Sequence, residues 1–391
     1  MGSRQNQGNF WGILKYLLLR NRLWRVLRRA IYYPIKTLKY LIKKAIGWDG
    51  TPLLVPYRSF GNKDIVFFRG RVVENYGIPS PKFKDSRFRN LLSMLKRYKS
   101  PGWPDVEVKV LFEGKVLETV TDEEGFFEIY YFPEQEQDET TIWQNVTYAL
   151  SVDGKVNTMQ GMLNAEVLFP NSQSQFGIIS DVDDTFLESH STLKLKKVRL
   201  MALKNALTRK PLKGVPSFYR ALKNGVNGEA NNPFFYVSSS EWNLYEMLRD
   251  FCEHWNIPRG VFMLRDMEFS IFKFWRAGSG SHQHKLNKID RVLTMYPDLP
   301  FILIGDSGQH DALIYEEVVM KHPHQVKAIY IRDIGNPKRS SNVLTVIQRL
   351  KEYGVEMILA RSIDEMVDDA LNKNFISPKS AEKVLSESDK F

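Results

Sequence analysis

Two textures divide the chain. From Thr51 to about Phe169, apolar and polar residues alternate along "DIVFFRGRVVE" (Asp64–Glu74), "DVEVKVLFEG" (Asp105–Gly114), "KVLETVTDEEGFFEIYYF" (Lys115–Phe132) and "NVTYALSVDG" (Asn145–Gly154). Alternation with period two predicts half-buried strands. The stretch Thr121–Phe127 reads as a hairpin turn, with Gly125 relieving φ strain. One helix is expected at Asp85–Tyr98, capped by Asp85. Together these predict a small antiparallel β-sandwich over residues 50–170.

After Phe176 the alternation stops. Unbroken apolar runs appear at Phe176–Ser180, Phe234–Val237, Val261–Leu264, Phe301–Gly305 and Val326–Ile331, with helical stretches between most of them. Strands buried on both faces and joined by helices predict an α/β unit, a doubly wound parallel sheet, over residues 171–374. The remainder, 375–391, is polar and is expected to be a disordered tail.

Charge adds a fourth part, residues 1–49. The chain carries a net +10, yet no acid precedes Trp48, and eleven bases do, which leaves the rest at −1. Arg22, Arg25 and Arg29 share one helical face; Lys36, Lys39 and Lys43 share another after Pro34; leucines and isoleucines fill the opposite faces. Trp11 and further aromatic rings suit a headgroup boundary. No uncharged run approaches the roughly 20 residues that span a bilayer. The arm therefore predicts amphipathic helices lying on an anionic membrane surface, the alternative being a hairpin packed on the body. Nucleic acid is not expected as a partner. Asn6 stands where a myristoylation signal has Ser or Thr. A single cysteine, Cys252, excludes an internal disulfide and a cysteine zinc cluster, and no secretory signal is evident. The expected location is cytoplasmic, at the membrane periphery.

In parallel sheets flanked by helices, chemistry gathers at the carboxyl ends of the strands. The first run ends in Asp181-Val182-Asp183-Asp184-Thr185, the second at Ser238, and the fourth in "GDSGQHD" (Gly305–Asp311); Lys285 and Lys288 open the helix before the fourth. Carboxylates packed this densely repel unless a cation lies among them. Asp181 and Asp306 around a divalent ion, with Ser238 and a lysine holding phosphoryl oxygens, suit phosphoryl transfer. Asp181 then serves as nucleophile and Asp183 as general acid and base. Asp184 fits a turn, Asp311 fits either metal support or a helix N-cap, and Ser239 and Ser240 compete with Ser238. The pairs His282/His284 and His322/His324 offer no third ligand. Arg332, Arg265 and Arg276 fit ion pairs as well as a site.

The pattern Asp181, Asp183, Thr185 resembles the first motif of the haloacid dehalogenase superfamily of phosphatases. "FGIISDVDDTF", "TRKPLKGVPSFYRAL", "FFYVSSSEWNLY", "HKLNKIDRVLTMYPDLPFILIGDSGQHDALIY" and "AIYIRDI" are similar, in order, to the actin-patch-associated phosphatidate phosphatase family and its bacterial relatives. That resemblance implies a haloacid-dehalogenase-like, Rossmann-like fold and magnesium held by Asp181, the Asp183 carbonyl and Asp306, with Asp311 in support. It also implies phosphate binding by Ser238 and Lys285, the lysine preferred over Lys288, and phosphatidate or a related phospholipid as substrate.

Overall fold

The computed structural model describes residues 38, 51–75, 100–134, 141–152, 155–156, 162–182, 211–265 and 280–389. The basic arm apart from Leu38, the expected helix Asp85–Tyr98, the residues Asp183, Asp184 and Thr185, and Arg276 lie outside the described residues. No helix among those described is long and apolar enough to cross a membrane.

The alternating region forms β1 (Thr51–Pro56), β2 (Ser59–Gly61), β3 (Val66–Asn75), β4 (Glu107–Phe112), β5 (Lys115–Val120), β6 (Phe126–Tyr131), β7 (Trp143–Val152), β8 (Lys155–Val156) and β9 (Leu163–Leu168). Along β4 the buried positions are Val108, Val110 and Phe112, every second residue, as the alternation predicts. These join Phe68, Val72, Tyr148, Leu150 and Val167 in one core. The nine strands form one sheet, antiparallel except for the parallel pair β2–β9.

The hairpin expected at Thr121–Phe127 is corrected. Gly125 does hold a left-handed φ of 81°, and its N–H donates to the Asp122 carbonyl. The strands on either side part company: β5 pairs with β4, and β6 pairs with β3. The aromatic side chains explain this. Phe127 and Tyr131 of β6 enter the core with Phe68 of β3, whereas Val116 and Val120 of β5 stay exposed.

The second region runs β10 (Gly177–Asp181), α1 (Val215–Asn224), β11 (Phe234–Glu241), a short 3-10 turn Trp242–Leu244, α2 (Tyr245–His254) and β12 (Val261–Arg265). It continues through α3 (Gly280–Met295), β13 (Phe301–Asp306), α4 (Asp311–Lys321), β14 (Val326–Arg332), α5 (Pro337–Leu350), β15 (Met357–Ala360), α6 (Ile363–Asn372) and α7 (Pro378–Asp389). All six strands are parallel, in the order β12-β11-β10-β13-β14-β15. β15, "MILA", escaped the apolar-run reading because it is short. Ile178, Tyr236, Ile304 and Tyr330 point to one face, against α1, α2, α6 and α7; Ile179, Val237, Leu303 and Ile331 point to the other, against α3, α4 and α5. Helices thus cover both faces of the sheet. Strand order reverses between β10 and β13, the place where such sheets open a crevice at their carboxyl ends.

The expected disordered tail is also corrected. Residues 378–389 are helix α7. Ala381 and Val384 are 3 % and 1 % exposed and pack with Phe375 and Ile376 onto the α1–α6 face. Polar composition concealed a narrow apolar stripe that the body covers.

Candidate active site

Register brings the strand-end residues to one rim. Asp181 pairs with Val237, so Ser238 lies one residue beyond it on β11. Ser180 pairs with Ile304, so Asp306 lies two residues past that level on β13. Asp181, Asp306 and Asp311 are fully buried, and oxygens of all three lie within 4.8 Å of one another. Among the described residues this is the one group of three or more side chains able to hold a metal ion.

Lys285 enters from α3, whose inner face carries the buried Leu286, Ile289 and Leu293. Its Nζ contacts Asp181 Oδ1 at 2.7 Å and Asp311 Oδ1 at 2.5 Å. Burial by itself lowers a lysine's proton affinity; here the two carboxylates outweigh it and hold the ammonium above the usual lysine range. Lys288, three residues on, donates instead to the Ser238 carbonyl at 3.0 Å. Lys285 thus sits among the acids, and Lys288 braces the hydroxyl-bearing strand. Ser238 is itself buried, and its Oγ accepts the Ser240 N–H at 2.8 Å.

The β13–α4 loop orients the acids. Asp306 Oδ1 accepts the N–H groups of Gly308 at 2.5 Å and Gln309 at 3.0 Å, and the Asp306 N–H donates to Asp311 Oδ2 at 3.2 Å. Asp311 is the first residue of α4, one past the N-cap position held by His310, and its carboxylate faces the site. Glycine is required at two places here. A Cβ on Gly305 would lie 2.7 Å from Asp311 Oδ2, and one on Gly308 would lie 2.7 Å from Asp306 Oδ1. Sequence reasoning missed Gln309, which sits in plain view inside "GDSGQHD": its Nε2 donates to Asp181 Oδ2 at 3.2 Å, and its Oε1 accepts from Lys285 at 3.3 Å. Arg339 of α5 donates to the Gly308 carbonyl, a contact with no sequence signal.

Three buried carboxylates share a single ammonium, an arrangement that is costly without a further counter-ion. Oxygen ligands lie about 2.0–2.1 Å from a magnesium ion, so opposite ligands are about 4.2 Å apart. The 4.8 Å cluster of hard oxygen donors fits a small divalent cation on both charge and size.

Other polar side chains have their own partners. Asp333 closes the β14–α5 loop: burial pushes its carboxyl up, but hydrogen bonds from the Gly335 N–H, Ser340 and Ser307 outweigh this and hold it below the usual range. Arg265 pairs with Glu241 at 3.0 Å, His282 with Glu317 at 3.2 Å and His322 with Asp290 at 2.7 Å. Arg332 ends β14 opposite Asp306 in the ladder.

The β-region grips the chain just after Ser238. Trp242 stacks on Tyr57 with centroids 4.2 Å apart, and the Arg69 guanidinium lies 4.7 Å from its ring. Arg71 donates to Asn243 and to the Glu124 carbonyl, and the Tyr245 hydroxyl accepts the Arg58 N–H at 2.9 Å.

Residues 176–333, which contain every one of these acids, match the family model described as the catalytic domain of phosphatidate phosphatase APP1. The chain is 27 % identical over 214 residues to phosphatidate phosphatase APP1 of Saccharomyces cerevisiae, covering 53 % of this chain and 35 % of that protein. It is likewise 27 % identical over 230 residues to an uncharacterized protein of Schizosaccharomyces pombe, covering 57 % of this chain and 36 % of the relative. The chain therefore spans about a third of the length of the curated relatives it matches. Among solved structures, a carbohydrate acetylesterase from Xanthomonas citri is 12 % identical across 78 % of this chain and 75 % of its own, at a TM-score of 0.25. A superposition that loose carries no argument about this fold or site.

Proposed function

We propose that the chain is a magnesium-dependent phosphatidate phosphatase of haloacid-dehalogenase type. The observation that carries this reading is the meeting of Asp181, Asp306, Asp311 and Lys285 at the reversal point of the parallel sheet, inside the matched segment 176–333. Asp181 and Asp306 hold the cation, with Asp311 in support. The Asp183 carbonyl supplies a further ligand, on sequence grounds alone. The bound ion offsets charge on the carboxylates and on the phosphate oxygens together.

Within that frame, an Asp181 carboxylate oxygen forms a bond to phosphorus while the bond from phosphorus to the glycerol oxygen breaks. The departing oxygen takes a proton from Asp183 and leaves as diacylglycerol. Asp183 then accepts a proton from the water that attacks phosphorus, releasing inorganic phosphate and restoring Asp181. Lys285 and Ser238 hold the transferring phosphoryl oxygens. The parallel-sheet unit carries this chemistry, and the β-region steadies its hydroxyl-bearing strand. The basic arm, residues 1–49, holds both at an anionic cytoplasmic membrane face where the substrate resides.

The test is turnover of phosphatidate in mixed micelles against soluble phosphate esters, with magnesium, for the full chain and for Asp181→Asn. Lipid turnover abolished in the variant is expected. Hydrolysis confined to soluble esters removes phosphatidate as substrate, and full activity of the variant removes Asp181 as nucleophile.

A further inference from the structure

We infer that Gln309 is a positioning residue that sets the plane of the Asp181 carboxylate and the place of the Lys285 ammonium. Turnover as a readout rests on the phosphatase reading above; cation binding does not. One residue reaches three members of the site. Its backbone N–H donates to Asp306 Oδ1 at 3.0 Å, its Nε2 donates to Asp181 Oδ2 at 3.2 Å, and its Oε1 accepts from Lys285 Nζ at 3.3 Å. Lys285 lies 2.7 Å from the other Asp181 oxygen. Amide and ammonium therefore address both oxygens of the carboxylate while bonding to each other.

An amide side chain offers a donor nitrogen and an acceptor oxygen on separate atoms, so it can donate to the carboxylate and accept from the ammonium at once. The carboxylate torsion of an aspartate is broad, so burial alone does not define which lone pairs face a ligand. Reaction at an oxygen depends on that orientation, and a small misplacement costs a large factor in rate. The loop is itself held: Arg339 donates to the Gly308 carbonyl, and the Gly308 N–H donates to Asp306 Oδ1 at 2.5 Å. Gln309 is half-buried on this loop.

The experiment compares full-length wild type with Gln309→Met, which keeps shape without the amide, and Gln309→Glu, which replaces the donor with a further negative charge. Three quantities are measured: melting temperature, manganese affinity by electron paramagnetic resonance, and kcat and KM on p-nitrophenyl phosphate. Gln309→Met is expected to melt a few degrees below the wild type while remaining folded, to bind manganese several-fold more weakly, and to lose about ten- to a hundred-fold in kcat at unchanged KM, the scale of a hydrogen bond to a charged group. Gln309→Glu is expected to bind manganese more tightly and to lose kcat as well. Manganese affinity unchanged in both variants overturns the inference whether or not the ester is turned over, as does wild-type kcat in Gln309→Met. A wild type that binds manganese and turns over no phosphate ester sinks the phosphatase reading, and the manganese comparison still decides the role of Gln309.

Discussion

Replacing Lys285 with methionine tests the electrostatics of the site directly. The side chain is 3 % exposed, and its ammonium contacts Asp181 and Asp311 at 2.7 and 2.5 Å; both acids are fully buried. Methionine keeps most of the volume, so the change is one of charge. Removing one partner of a buried ion pair costs about 3–5 kcal/mol, because the other partner stays buried and uncompensated. At about 2–4 °C per kcal/mol for a unit of 150–250 residues, the melting temperature in chelator should fall by roughly 6–20 °C. On the proposed reading, a divalent ion should reverse part of this. Ligand at a hundred times its Kd contributes about 2.7 kcal/mol to the folded state. The ion also meets three carboxylates in the variant with no ammonium beside them, so Lys285→Met should gain more from magnesium than the wild type gains. Calorimetry of both proteins in chelator and in saturating magnesium reads the four melting temperatures. Equal melting in chelator would mean that the acids are not ionised against Lys285, and the picture of a charged, cation-seeking pocket would be wrong.

Other consequences are open to measurement. Ser238→Ala should lower kcat on p-nitrophenyl phosphate about a hundred- to a thousand-fold, the scale of one lost donor to a developing charge, and should cost about 1–3 kcal/mol in chemical denaturation because the buried Ser240 N–H loses its acceptor. Trp242→Ala removes the stack on Tyr57 and the Arg69 contact, and should cost about 3–5 kcal/mol in chemical denaturation. Val384→Asp places a charge where α7 meets the body at 1 % exposure; a denaturation midpoint equal to the wild type would show that α7 does not dock there. Deleting residues 1–49 should weaken sedimentation with anionic vesicles and spare hydrolysis of a soluble ester; vesicle binding that survives the deletion removes the arm's membrane role.

Much of this molecule was legible from local pattern, because local pattern reflects burial. Period-two alternation marked β3, β4 and β7, and unbroken apolar runs marked five of the six parallel strands, since those strands are covered on both faces. The same runs pointed to Asp181, Ser238 and Asp306, because polar residues that end a buried strand must emerge at its carboxyl edge. Three things lay beyond that reach. Pairing partners are non-local: no residue near Thr121 states that β5 goes to β4 and β6 to β3, which is decided by where Phe127 and Tyr131 find their core. The choice of Lys285 over Lys288 depends on the rotation of α3 against the sheet, which a three-residue spacing leaves open. The brace around Asp181 joins side chains 128 residues apart. Sequence patterning determines which groups are buried and which strand ends carry charge. Only the packed structure decides which of those charges meet, because Coulombic and hydrogen-bond energies depend on distances of a few ångströms that the chain order does not encode.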